Sequence, residues 1–311
     1  MPDGLPAKSI HLLPPPAAVK RLCFDDTTRT LRPNMVLVDR HGAVIFETNE
    51  LGLKGAARDP SRKLAVVWGD SVVFGMGWSW PCLIDAFAPT YQFLNGGIEA
   101  DPYDNILRRA EAFNRAHAVS LNILMLGWHP WHLPAALAKP ARGTEGPLRR
   151  LTQVFRMERE PHFTPTSAGS EPQSIHRRLR ADLVDFLQRM PNTVLVTMPT
   201  ALNRNIVDRD LSAYFTEGDR DAVFTFAGDL AYSVEAQRHM LAHITERNAI
   251  VREAAQESGA RLVDLAAAFD TAVLVDFRED FHDMLHLRPR AYPKAASIVF
   301  RGIKDLLNST A

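Results

Sequence analysis

The stretch LAVVWGDSVVFGMG, residues 64 to 77, ends an apolar run on Gly69-Asp70-Ser71. A serine placed there either caps a helix or is a nucleophile presented at the end of a buried strand. In the second case the free amides and positive end of a following helix face its hydroxyl, a setting that favours a developing anion. The hydroxyl is a poor nucleophile until a base takes its proton, and a histidine, with an ordinary pKa of about 6.5, suits that work. The segment FHDMLHLRPRAY, residues 281 to 292, offers one. Asp283 and His286 stand three residues apart, so one turn of chain can set the carboxylate against the imidazole, fix its tautomer and turn its other nitrogen outward. The plainer readings are a helix cap at Asp70 or Ser71 and ordinary capping residues in a solvated loop around Asp283.

These residues need elements to hold them. From Leu64 onward, short apolar runs alternate with longer amphipathic ones. The runs LAVVW (64 to 68), YQFLN (91 to 95), LNILMLG (121 to 127), TVLVTM (193 to 198) and RLVDL (261 to 265) read as strands covered on both faces, as in a parallel sheet. Helices are expected over WPCLIDAFA, PYDNILRRAEAFNRAHA, SIHRRLRADLVDFLQRM, AYSVEAQRHMLAHITERNAIVREAAQESG and RAYPKAASIVFRGIKDLL. That alternation predicts an α/β fold with three α/β/α layers around a flavodoxin-like parallel sheet. Residues 1–60 form an N-terminal arm containing a candidate β-hairpin, MVLVDRHGAVIFETN, with its turn at DRHG; residues 61–311 form the main domain. Two long irregular segments, 128–172 and 199–228, follow strand ends and are expected to wall the crevice where such sheets bind ligands.

Composition removes several alternatives. Lys plus Arg and Asp plus Glu are equal at 36 each, so nothing in the net charge points to nucleic acid. No stretch approaches the roughly 18 apolar residues that a membrane span requires. The N-terminal sequence lacks a basic cluster leading into an apolar run, so no secretory signal is expected. The two cysteines, Cys23 and Cys82, fit incidental thiols in a reduced, cytoplasmic protein.

Taken together the motifs resemble those of the SGNH, or GDSL-type, hydrolases, from about Asn49 to the C-terminus. GDSV at 69–72 is similar to that family's first block, with valine for its usual leucine. LNGG at 94–97 is similar to the second, with Gly97 as the equivalent ahead of Gly96, and DMLH at 283–286 to the last. TNELGLKG, upstream of the first strand, resembles a segment of many bacterial members. The resemblance implies a triad of Ser71, His286 and Asp283, and an oxyanion hole built from the amides of Ser71 and Gly97. The third block departs: after LNILMLG comes Trp128-His129-Pro130-Trp131-His132, so His129 stands where the family has an asparagine donor. A neutral imidazole carries one N–H and can take that place; otherwise the hole has two donors. Trp128 and Trp131 either line a cleft with Asp70 or cover the sheet edge.

The resemblance implies a serine esterase acting on O-acyl esters, in particular O-acetyl esters on a small molecule or glycan, through an acyl-enzyme and without a cofactor. It leaves open an O-acyltransferase using the same triad and a binding domain that kept the fold and lost the chemistry. A metal-dependent hydrolase is a further reading, because His282 and His286 lie four apart and His129 and His132 three apart. Pro130 and Pro289 oppose helical ligand pairs there, and no metal site is expected.

Overall fold

In a computed structural model of the chain, the structure describes residues 8–12, 24–25, 30–75, 79–99, 101–128, 172–209, 234–270, 279–281 and 284–309. The arm carries β1 (Ser9–Leu12), β2 (Phe24–Asp25), β3 (Thr30–Leu31), β4 (Met35–Val38) and β5 (Val44–Glu47). The chain then runs β6 (Lys63–Gly69), α1 (Ser71–Phe74), α2 (Trp80–Leu83), β7 (Tyr91–Asn95), α3 (Tyr103–Ala116), β8 (Val119–Met125), α4 (Pro172–Arg189), β9 (Thr193–Val196), α5 (Val234–Ser258), β10 (Leu262–Val263), α6 (Leu265–Phe269) and α7 (Tyr292–Ser309).

The five core strands lie in the order β10-β9-β8-β6-β7 with every neighbouring pair parallel. Counting from the first core strand this is 2-1-3-4-5, the flavodoxin-like winding, and its topological switch point falls between β6 and β8. The side-chain period of two divides each strand between two helix layers. Ala65 and Val67 of β6, Ile123 and Met125 of β8, and Val196 of β9 pack with Ala295, Val299 and Ile303 of α7. Val66 and Trp68, Leu124, and Leu195 face the other way, onto Ile106 of α3, Leu183 and Phe186 of α4, and Val251 of α5. Each fully buried aliphatic side chain of this kind contributes on the order of 1.5–3 kcal/mol, and the apolar runs of the sequence are these two half-cores interleaved.

The expected hairpin forms: β4 and β5 pair antiparallel, while β1 joins β4 in parallel. Asp39 Oδ1 closes the turn by accepting from the amides of His41 and Ala43, each at 2.8 Å. Leu31, Met35, Leu37 and Phe46 of the arm cluster with Phe74 and Ile98, so the hairpin packs against the turn that carries Ser71. Two expected elements are shorter than their sequence suggests. β10 stops at Val263 because Asp264 caps α6, accepting from the Ala267 amide, and pairs with Arg252. The helix over WPCLIDAFA passes into a 3-10 turn at Ile84–Phe87, where Asp85 turns aside to accept from the Phe93 amide at 2.6 Å and to pair with Arg62.

Candidate active site

β6 delivers Gly69, Asp70 and Ser71 to the carboxyl edge of the sheet, beside the switch point. Ser71 opens α1, which is a single turn ending at Gly75, whose φ of 55° lies in the left-handed region that glycine accepts. One turn generates only a slight macrodipole, so local amides, not the helix dipole expected from the sequence, set the environment of the hydroxyl. Across 215 residues of chain, His286 Nε2 lies 2.9 Å from Ser71 Oγ. Ser71 is buried and His286 half-buried.

The loop bearing His286 is fixed from several directions. Met284, Leu285 and Leu287 are buried on either side of it. The Met284 carbonyl accepts from the Thr200 hydroxyl at 2.7 Å and from the Ala201 amide at 3.0 Å, tying the loop to the chain leaving β9. Phe281 and Leu287 form an antiparallel bridge, and Arg288 donates to the carbonyls of Asp280 and Phe281, each at 2.8 Å.

Asp70 does not face the cleft, as the substrate-binding expectation required. It is completely buried, its Oδ1 accepts from the Val72 amide at 3.0 Å, and its Oδ2 accepts from the Trp128 amide at 3.1 Å. Both oxygens therefore hold backbone, joining the end of β6 to the chain after β8. Burial pushes its pKa up to about 6, against the pull of those amides and of the charges of His286 and Arg247. Gly127 makes room for it, since a Cβ there would stand 1.5 Å from Asp70 Oδ2.

Gly97 lies in the loop after β7. Its amide donates to Asn95 Oδ1 at 2.8 Å, closing an Asx turn. Glycine is needed there because a Cβ would approach the Phe74 nitrogen to 2.4 Å. Gly96 instead packs on the Trp68 ring. The Ser71 amide, first in its turn, has no intrahelical acceptor. Trp128 is half-buried, and its carbonyl bonds His243 Nε2 at 2.9 Å. Burial, reinforced by Arg247, drops the His243 pKa to about 3, so the ring is neutral and donates to that carbonyl. Asp283, His129, Trp131, His132, His282 and Cys23 lie outside the described residues. Cys82 is buried and its thiol is pushed up to about 12 by desolvation, an inert setting.

Two residues that the sequence reading passed over brace the Ser71 turn, and a third sets a buried charge against Asp70. Asn95, fully buried, donates through Nδ2 to the carbonyls of Val73 (2.9 Å) and Phe74 (3.2 Å) and to the Ser79 hydroxyl. Lys54, also buried, donates to the carbonyls of Phe74 and Gly75. Arg247 is buried with its guanidinium 5.7 Å from the Tyr103 ring and its charge set against that of Asp70. Position in TNELGLKG and LNGG was the only sequence signal for the first two, and α5 gave none for Arg247.

Among the described residues no group of three or more His, Cys, Asp or Glu side chains could hold a metal ion, and no helix is long and apolar enough to cross a membrane. A cavity of about 540 Å³ lies between the arm and α3, lined by Leu31, Leu53, Trp68, Phe113 and Arg115 among others; Ser71, Asp70 and His286 do not line it.

No family model matches the chain, and no curated protein matches it. Among solved structures it is similar to a lipase/acylhydrolase from Enterococcus faecalis, at 13% identity and a TM-score of 0.43 over 78% of this chain and 96% of that one. It is similar to an acetyl xylan esterase at 15% identity and a TM-score of 0.45, over 77% of this chain and 99% of that one. A catalytic mutant of an acetylxylan esterase from Geobacillus stearothermophilus gives 15% identity and a TM-score of 0.42, over 79% and 94% of the two chains. Likenesses of this size define no activity, and the functional reading rests on the geometry of the site.

Proposed function

We propose that the chain is a serine ester hydrolase working through an acyl-enzyme, and that its substrates are O-acyl, chiefly O-acetyl, esters of a small molecule or glycan. The observation that carries the reading is the 2.9 Å approach of His286 Nε2 to Ser71 Oγ at the carboxyl end of a central parallel strand. In this reading neutral His286 takes the Ser71 proton as the oxygen attacks the ester carbonyl, then returns that proton to the departing alkoxide. Asp283 orients the imidazole through its other nitrogen. The developing oxyanion is held by the amides of Ser71 and Gly97, with His129 as the side-chain donor. Water, activated by the same histidine, then attacks the acyl-enzyme and releases the acid. No cofactor takes part.

The test is covalent labelling of Ser71 by a fluorophosphonate, paired with hydrolysis of p-nitrophenyl acetate. Ser71→Ala should lose labelling and lower kcat by on the order of 10⁴-fold or more, and His286→Ala should act similarly, with both proteins still folded. More than a tenth of wild-type activity in Ser71→Ala removes the serine from the mechanism. Loss of activity in EDTA with rescue by zinc would return the metal reading instead.

A further inference from the structure

We propose that Lys54 is a positioning residue for Ser71: its ammonium grips the carbonyl end of the single turn whose amino end presents the nucleophile. The inference rests on the serine-hydrolase reading given above. The turn has little to hold itself, since one turn of helix forms few internal bonds. Here they run from the amides of Val73 and Phe74 to the Asp70 carbonyl and from Gly75 to Ser71. What remains are orphan carbonyls at the far end, and Lys54 Nζ meets two of them, Phe74 at 2.5 Å and Gly75 at 3.1 Å.

The clamp is itself anchored. The backbone of Lys54 exchanges two hydrogen bonds with Asn95, each 2.9 Å, so the lysine hangs from the end of β7 while it reaches under α1. Its ammonium stands 4.0 Å from the centre of the Phe74 ring and 5.8 Å from that of Phe46. Among the described residues no carboxylate pairs with it. The ionisable group that interacts with it, Cys82 of α2, keeps its proton, and the two carboxylates that act on Cys82 are engaged elsewhere: Glu47 of β5 pairs with Lys8 at 2.9 Å and Asp85 with Arg62 at 3.0 Å. An ammonium held by the last carbonyls of the turn and by ring faces satisfies acceptors that the turn itself leaves open.

Two opposed pH effects follow. Burial pulls the Lys54 pKa down to about 7. The folded value lies below the unfolded one, so between about 7 and the ordinary lysine range the unfolded chain binds more protons and stability rises with pH. Over the same window the amine gives up its charge and its grip on the carbonyls weakens. Activity should therefore fall where stability climbs, a signature that a merely structural lysine does not give.

The experiment measures the rate of Ser71 labelling by a fluorophosphonate from pH 5.5 to 9.5 in wild type, Lys54→Met and Lys54→Arg, with thermal unfolding alongside. Wild type should label faster as His286 becomes neutral and then slower on the alkaline side. Lys54→Met should label at least tenfold more slowly at pH 6.5 and lack the alkaline fall. It should melt no lower than wild type, and its KM for p-nitrophenyl acetate should stay within threefold. Lys54→Arg, charged throughout, should keep labelling at alkaline pH. Labelling of Lys54→Met within threefold of wild type, with the same profile, overturns the inference alone. So does a loss of labelling that tracks a drop in melting temperature. If Lys54→Met does not fold, a wild-type profile without an alkaline fall overturns it. Failure of wild-type Ser71 to label overturns the serine-hydrolase reading, and the inference with it.

Discussion

Asp70 and Ser71 are chain neighbours with opposite duties. The serine oxygen is left to the imidazole, whereas the carboxylate is bound on both oxygens by backbone amides and sealed from water. That seal depends on Gly127. Gly127→Ala would put a methyl group where Asp70 Oδ2 now sits, so either the carboxylate leaves and strands the amides of Val72 and Trp128, or the chain after β8 is pushed away. Overpacking and lost buried hydrogen bonds together cost about 3 kcal/mol or more. Denaturant unfolding should register that loss and Ser71 labelling should fall with it; a change below about 1 kcal/mol would show that Asp70 does not hold the edge of the sheet. At this scale the sequence showed which residue types could carry chemistry and not which of their atoms are already hydrogen-bonded. Ser71 and His286 were legible as a pair because their types and order are unusual together, and the structure brings them to 2.9 Å. Asp70 and the Gly97 amide are both hydrogen-bonded inside the fold, and nothing in GDS or LNGG says that a carboxylate or an amide is already satisfied there.

Elements succeed or fail by what secures their ends. The long strands and helices were legible because their apolar period follows from burial on both faces of a sheet. β10, the 3-10 turn after α2 and the one-turn α1 were not, because each boundary depends on a partner distant in sequence: Arg252 and Thr197 for Asp264, Arg62 and the Phe93 amide for Asp85. For α1 the tertiary supports are Lys54 and Asn95, neither of which stands out as a site residue in TNELGLKG or LNGG. Asn95 binds the carbonyls of Val73 and Phe74 and the Ser79 hydroxyl through one nitrogen and accepts the Gly97 amide through its oxygen. Asn95→Ala removes all of these at a fully buried position, at a cost of about 2–4 kcal/mol when several buried partners go unmet. Because the turn presents Ser71, fluorophosphonate labelling of the variant should slow at least tenfold at temperatures where circular dichroism still shows it folded, with KM nearly unchanged. Wild-type labelling in a folded Asn95→Ala would mean that α1 keeps its shape without that support.

On the scale of the whole molecule, the site is a meeting of two chain ends. Ser71 arrives on β6, an interior strand of the sheet, and His286 arrives on the approach to the last helix, so their 2.9 Å contact is only as well defined as the seating of α7. That helix packs its Ala295, Ala296, Val299 and Ile303 onto the sheet, and at Gly302 it comes close to the edge strand β10. A Cβ at 302 would stand 2.5 Å from Val263 Cγ2. Gly302→Ala should therefore tilt the helix off β10 or displace Val263, costing about 1–3 kcal/mol as overpacking does, although alanine improves helix propensity by up to about 1 kcal/mol. Val263→Ala alone should cost a similar amount by leaving a cavity. The two changes together should recover part of the loss, because the second removes the atoms that the first collides with. A double-mutant cycle by urea unfolding measures the coupling, expected to be at least about 1 kcal/mol in the direction of rescue. Labelling of Ser71 reads the consequence at the site: it should fall in Gly302→Ala and recover in the double variant. Additive energies would show that α7 is seated by its alanine and valine face alone. Coupling without a change in labelling would show that the His286 loop is held by its bonds to Thr200 and Ala201, independently of the helix that follows it.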